Sequence, residues 1–193
     1  MNPTDTTTHH GLLPPLASPP PLRPAPAQRP SVGFMLSHPA HVVAMGWGSG
    51  LARWAPGTVG TLWAWLAFVV IDRWVSHPAA WAAIVVVTAL AGWWACTVTG
   101  RHMGQPDSSH MVIDEIVAFW AVLWLVTPAS FAWQLLAFGL FRLFDAVKVG
   151  PMAWADQRFK GLGWRGGFGV MLDDAAAALC TLLVLSVLTR TLA

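Results

Sequence analysis

The sequence predicts an all-α protein, a membrane-embedded bundle of about five apolar helices whose loops gather on the cytoplasmic side. Three observations predict it. Of 193 residues, 55% are hydrophobic and only 10% are charged, whereas soluble domains carry about a quarter charged residues. There are 13 Trp and no Tyr, and Trp concentrates at the headgroup level of bilayers. Beyond residue 40, apolar runs alternate with polar, glycine- or proline-containing joints. A net charge of +2 is too small to point to nucleic acid, and no nucleic-acid-binding motif is present.

Residues 1–40 stand apart, holding most of the chain's 15 prolines, in runs such as "LLPPLASPPPLRPAPAQRP". Such a segment neither propagates a helix nor buries a core, so a disordered arm is expected there. It lacks the unbroken apolar stretch behind a basic start that marks a signal peptide. Residues 41–193 are then a single helical membrane domain.

The first apolar run is "TVGTLWAWLAFVVI" (58–71) and the second "AAWAAIVVVTALAGWWACTV" (79–98), the latter matching the roughly 20 residues a span requires. The third is "HMVIDEIVAFWAVLWLV" (110–126), the fourth "SFAWQLLAFGLF" (130–141). The fifth is "AAAALCTLLVLSVLT" (175–189), introduced by "VMLDD". The first and fourth are short for a span, which tilt or flanking residues would compensate. "TPAS" reads as a tight turn that makes the third and fourth helices antiparallel neighbours. With the N-terminus inside, Arg23, Arg29, Arg53, Arg101, Arg142, Lys148, Arg158, Lys160 and Arg165 face the cytoplasm, and only Arg73 and Arg190 lie outside, as the positive-inside rule requires. The two cysteines, Cys96 and Cys180, have no partner at metal-ligand spacing and read as packing residues.

The same threading places Asp107, Asp114, Glu115, Asp145, Asp156, Asp173 and Asp174 at the cytoplasmic side. Helices three and five are expected to begin with acidic pairs and helix four to end with one acid. Crowded, partly desolvated carboxylates repel one another and favour uptake of a proton or a cation. An all-oxygen donor set suits a hard ion, Mg²⁺ above all where phosphate is present. The competing reading makes these acids helix N-caps and dipole partners. It leaves the doubled acids unexplained, and Asp145 sits at a helix C-terminus where negative charge is unfavourable.

Cations surround the same positions. In "FRLFDAVK", Arg142, Asp145 and Lys148 share a helical face if the helix runs that far, which is either a plain ion-pair ladder or an anion clamp next to a metal. Lys148, with Arg158 or Lys160, would hold an anionic group there, and metal plus cations is what phosphoryl chemistry needs. Two glycine-rich segments, "GWGSGLARWAPGTVGT" (46–61) and "KGLGWRGGFG" (160–169), precede the first and fifth helices. They serve either close backbone approach to a ligand or turns and packing, and no P-loop is present. Ala118 and Ala121, with Ala175 to Ala178, allow close helix approach. His102 and His110 flank the acids and are candidate proton relays. The Trp residues read mostly as interfacial anchors.

Four blocks, "GSGLARWAPGTVGT", "DSSHMVIDEIVAFW", "FRLFDAVKVGPMAWAD" and "GGFGVMLDDAAAA", together resemble the phosphatidylglycerophosphatase A family of bacterial membrane enzymes, in the family's order. The resemblance implies an all-α fold and Mg²⁺-dependent removal of the terminal phosphate of phosphatidylglycerol phosphate in the inner membrane. It implies that Asp114, Glu115, Asp145, Asp173 and Asp174 are the acidic motif positions and Lys148 the basic one, with Pro56, Gly57 and Thr58 matching the first block. Thr58, Arg142, Arg158 and Lys160 are the expected substrate contacts. The partner is a membrane phospholipid, and no obligate protein partner is expected. Two departures, Val149 where the family has Pro and the inserted "GLGWR" (161–165), fall between the fourth and fifth helices.

Motifs of other lipid-phosphate enzymes, "DGxxAR", "PSGH" and "DxDxT", are absent. The rival from another class is a cation- or proton-coupled transporter using the same acids. Its ionisable groups belong near the bilayer midplane, and here they gather at one face.

Overall fold

The computed structural model describes residues 29–147 and 161–192, whose regular structure is helical, with no strand among them. Two short helices open the chain: α1, Val32–Leu36, capped by Ser31 whose Oγ accepts from Phe34 N at 3.1 Å, and α2, Pro39–Ala44. Residues 32–36 and 39–40, which composition assigns to the arm, are thus helical; residues 1–28 lie outside the described residues. A 3₁₀ turn at Gly46–Leu51 follows. Then come α3, Pro56–Ile71; α4, Pro78–Met103; α5, Ile113–Val126; α6, Phe131–Val147; and α7, Trp164–Leu192.

The starts and stops have local causes. Proline occupies the first turn of α2, α3 and α4, where its missing N–H leaves nothing unsatisfied. His77 caps α4 by accepting from Ala79 N at 3.2 Å. Gly104, left-handed at φ 66°, ends the same helix, a conformation glycine adopts without a steric penalty. The five apolar runs correspond to α3 through α7, but the fifth helix begins well before its acids, at Trp164. Gly166, Gly167 and Gly169, expected ahead of the helix, are helical, while Gly161 and Gly163 precede it. Gly167 lets α7 approach α4, since a Cβ there would stand 3.0 Å from Thr97 N and 3.1 Å from Trp93 O.

Helix α5 is the hub, packed against α3, α4, α6 and α7, and it buries Ile116, Phe119, Val122 and Leu123 completely. Phe119 near its middle meets Phe138 and Phe141 of α6, the antiparallel neighbour the tight turn predicts. Among the described residues, only α4 and α7 are long and apolar enough to cross a membrane. Helices α3, α5 and α6 have 16, 14 and 17 residues, short of the roughly 20 a span takes. A bundle with five crossings is therefore carried by length in two helices only.

Trp65, Trp81, Trp93 and Trp120 each donate their indole N–H to another part of the chain, to Gln134, Asp72, the Trp164 carbonyl and the Ala64 carbonyl at 2.7–2.9 Å, and so tie helices together. Trp54 and Trp74, by contrast, are 80% and 85% exposed.

Near the start of the described chain, three histidines meet. His41 Nδ1 lies 2.9 Å from the Phe34 carbonyl, its Nε2 lies 2.8 Å from His102 Nδ1, and its ring stacks on Phe34. A carbonyl only accepts, so Nδ1 carries the proton; with burial favouring the neutral imidazole, Nε2 is left to accept from His102. His102 is thereby engaged away from the acids. Burial, more than anything else, lowers the His41 pKa below 6.5; His102 and His38 push the same way, against the bond to Phe34. A depressed histidine pKa leaves stability intact above the unfolded value and erodes it as pH falls below that value, because the unfolded chain then binds the proton more readily. The thermal midpoint of the protein in detergent should therefore fall between pH 7.5 and pH 5.5, and fall less in His41→Gln. Equal falls in the two proteins would refute a neutral buried His41.

Candidate active site

Each acid has a distinct local origin. Asp114 and Glu115 are the second and third residues of α5, where the helix dipole favours negative charge; Asp114 Oδ1 accepts from Glu115 N at 3.0 Å. Asp145 sits close to the end of described α6 and receives Arg142 Nη1 at 2.6 Å. Asp173 and Asp174 lie inside α7, not at its start, so neither is an N-cap. Both are buried, as is Asp114. A mid-helix pair of buried carboxylates contributes nothing to capping and is expensive to desolvate, which leaves a chemical role as their physical rationale.

These groups converge. A cavity of about 630 Å³ is lined by Asp107, Asp114, Glu115, Asp145, Asp173 and Asp174, with Arg29, Gln105, Val170 and the Ser108–Met111 loop completing its wall. Asp145 comes within hydrogen-bonding reach of Asp174. The cavity opens at the end of the bundle where α4 stops and α5 begins, while Asp72 and Trp81 close the opposite end.

Arg142 binds two acids at once, Glu115 Oε1 at 3.1 Å and Asp145 Oδ2 at 2.6 Å. The ladder reading accounts for the second contact, not the first, which joins α6 to α5. Thr61 donates to the Gly57 carbonyl at 2.9 Å and lies 3.4 Å from Glu115 Oε2. Gly57 itself is in direct contact with the Glu115 carboxylate: a Cβ on Gly57 would overlap it. The 3₁₀ turn is held to the cavity wall by His110, whose Nδ1 lies 2.7 Å from the Gly50 carbonyl.

Several sequence candidates stand elsewhere. Thr58 is half-buried on α3 and does not line the cavity; Thr61, one turn on, is the threonine that reaches Glu115. Lys148, Arg158 and Lys160 lie outside the described residues. His102 belongs to the histidine group, whereas His110 does line the cavity. Arg29, Ser108 and Ser109 were not selected from the sequence. The two serines lie in the "DSSH" block, which was the available signal; Arg29 carried none, being lost in the proline-rich arm.

The donor chemistry fits a divalent hard ion. Six carboxylates, two hydroxyls, a carboxamide and one imidazole line the cavity beside Arg29, Met111 and Val170, so oxygen donors dominate. Among the described residues, no three His, Cys, Asp or Glu side chains form a ready-made metal cage. Mg²⁺ does not demand one, since it typically takes one or two carboxylates and fills its octahedron with water and substrate oxygens.

The family model for phosphatidylglycerophosphatase A matches residues 42–189. The chain belongs to that family. A phosphatidylglycerophosphatase A of Haemophilus influenzae is 35% identical over 152 residues, covering 77% of this chain and 88% of its own. The Escherichia coli protein of the same name is 31% identical over 147 residues, 74% of this chain and 78% of its own. A Bacteroides thetaiotaomicron protein, named provisionally as a phosphatidylinositol-3-phosphatase, is 34% identical over 152 residues, 76% and 91% of the two chains. No solved structure matches the chain significantly. Phosphatidylglycerophosphatases are phosphoric monoester hydrolases, and membership of an enzyme family leaves the transporter reading without support.

Gly57 offers a test of the geometry. Alanine in the first turn of α3 gains up to about 1 kcal/mol of helix propensity over glycine, which offsets part of the clash. The Glu115 carboxylate, at the end of a flexible side chain, would move instead. Gly57→Ala should leave the thermal midpoint nearly unchanged while phosphatase activity drops on the order of 10²-fold. Unimpaired activity, measured beside the melting curve, would show that the Glu115 position is unimportant.

Proposed function

We propose that this protein is a Mg²⁺-dependent lipid phosphatase that removes the terminal phosphomonoester of phosphatidylglycerol phosphate to give phosphatidylglycerol, at the cytoplasmic face of the bacterial inner membrane. The observation that carries the proposal is the meeting of carboxylates from α5, α6 and α7 in one cavity, those of Asp114, Asp173 and Asp174 buried, in a chain of the phosphatidylglycerophosphatase A family. The headgroup-sized opening at one end of an apolar bundle suits a substrate anchored in the bilayer. The positive-inside distribution of Lys and Arg supports a cytoplasmic opening, and the exposed apolar side chains of α3, α4 and α7 support a multi-pass setting.

Asp114, Glu115, Asp145, Asp173 and Asp174 are the residues that would hold Mg²⁺. When bound, the ion supplies neutralisation of phosphoryl charge and a more acidic water. Arg142 fixes Glu115 and Asp145 relative to each other, so that the acidic set stays convergent when the cavity is filled. Lys148, Arg158 and Lys160 provide the positive charge expected to receive the phosphate, with Arg29 at the cavity wall beside them in function. A carboxylate not engaged with the ion takes a proton from water as general base or attacks phosphorus itself to give an aspartyl phosphate. Acid-quenching during turnover of a radiolabelled substrate separates these routes, because only the second leaves label on the protein.

The Bacteroides relative's name favours one extension: other lipids bearing a phosphomonoester, phosphatidylinositol 3-phosphate among them, enter the same cavity. Competition of such lipids against phosphatidylglycerol phosphate measures that breadth.

In detergent micelles with Mg²⁺, the purified full chain should release inorganic phosphate from phosphatidylglycerol phosphate and stop doing so in EDTA. Asp114→Asn and Asp174→Asn should each lower turnover by about 10²-fold or more while circular dichroism remains helical. Full activity in EDTA would reject the metal, and active, well-folded variants would reject the site.

A further inference from the structure

A second, almost wholly apolar groove of about 520 Å³ runs between α4, α5 and α7, and Asp114 lines both this groove and the acidic cavity. Resting on the lipid-phosphatase reading above, we propose that this groove seats one acyl chain of the lipid substrate, with Asp114 at the junction between tail and headgroup. Several features commit the groove to that occupant. Asp114 is common to groove and cavity, so a chain lying in the groove reaches the site where the phosphate is held. Along α7 its lining runs from Phe168 to Leu182, a rise of roughly 21 Å at 1.5 Å per residue. That is long enough to hold a tail across the ~15 Å of hydrocarbon in a single leaflet, half of a ~30 Å core.

Small residues shape the groove. Ala121 of α5 is half-buried and Ala175 of α7 exposed, both on its lining, with Leu172 and Leu179 flanking Ala175. The tail gains little hydrophobic free energy by moving from bilayer to groove, because lipid is as apolar as the lining. The gain is positional: a seated tail fixes the depth and direction of the headgroup relative to Asp114 and Asp174, which is the kind of constraint that raises turnover. The small side chains then explain themselves as space for a chain, beyond the close helix approach that Ala118 and Ala177 serve from buried positions.

The test compares two substrates and locates the tail directly. Ala121→Phe and Ala175→Phe fill the groove; Val87→Phe, on the exposed outer side of α4 and away from the groove lining, is the control. We expect kcat/KM for long-chain phosphatidylglycerol phosphate to fall about tenfold in the filled variants, with turnover of its dibutanoyl counterpart held within about twofold. Val87→Phe should match wild type on both. A long-chain lipid phosphate carrying a diazirine in the acyl chain should label peptides containing Leu172 to Leu182, and unlabelled lipid phosphate should compete. Equal losses on both substrates, no loss on either, even labelling over all apolar faces, or crosslinks between two copies of the chain would each overturn the proposal. Groove labelling by a wild-type protein that releases no phosphate would overturn the phosphatase reading and leave the groove standing. Phosphate release with an unlabelled groove would overturn the groove alone.

Discussion

Like charges repel most strongly where water is scarce, and this bundle gathers its carboxylates where water is scarce. Asp114, Asp173 and Asp174 are buried, with Glu115 and Asp145 beside them, and the repulsion has to be answered within the folded chain. Arg142 is the described residue that answers it most directly, clasping Glu115 and Asp145 with one guanidinium. That grip joins α6 to α5 at the end of the bundle where the cavity opens. Asp173 and Asp174 of α7 add their carboxylates to the same cavity wall. Under the proposed function, a bound divalent cation would offset the repulsion that such crowding creates.

The packing around α5 exists to make that arrangement rigid. Its apolar face is enclosed by four helices, while its first turn carries the acids into the cavity. Trp120 reaches back to the Ala64 carbonyl of α3 and Trp65 reaches Gln134 of α6, so α3, α5 and α6 are linked by directional bonds as well as by apolar contact. Directional bonds matter more in an apolar surrounding, where lipid and core attract side chains about equally and area alone does not select one packing.

Much of this was legible from residue order, and the exceptions share a cause. The five apolar runs became the five long helices, and Asp114, Glu115, Asp145, Asp173 and Asp174 met as the threading required. The start of α7 was misplaced because Gly166, Gly167 and Gly169 are loop-like by composition, whereas here the small size of Gly167 serves contact with α4, a tertiary fact with no local signature. The same holds for Thr61, whose value lies in facing Glu115 across 54 positions of sequence, and for Arg29, which only a chain folded back on itself brings to the cavity. Internal bonding of four indoles was likewise invisible, since Trp looks the same in a sequence whether it faces headgroups or a neighbouring helix. Local pattern finds elements and charges; which surfaces meet is settled by shape.

The missing side chain at residue 57 has an evolutionary corollary. Helix α3 approaches α5 so closely there that a carboxylate occupies the volume a methyl group would need. Two positions far apart in the gene are thus bound into one heritable unit. A lineage that shortens residue 115 releases residue 57 to vary, and a lineage that enlarges residue 57 displaces the long acid from its place. Among related chains the two columns should drift as a pair.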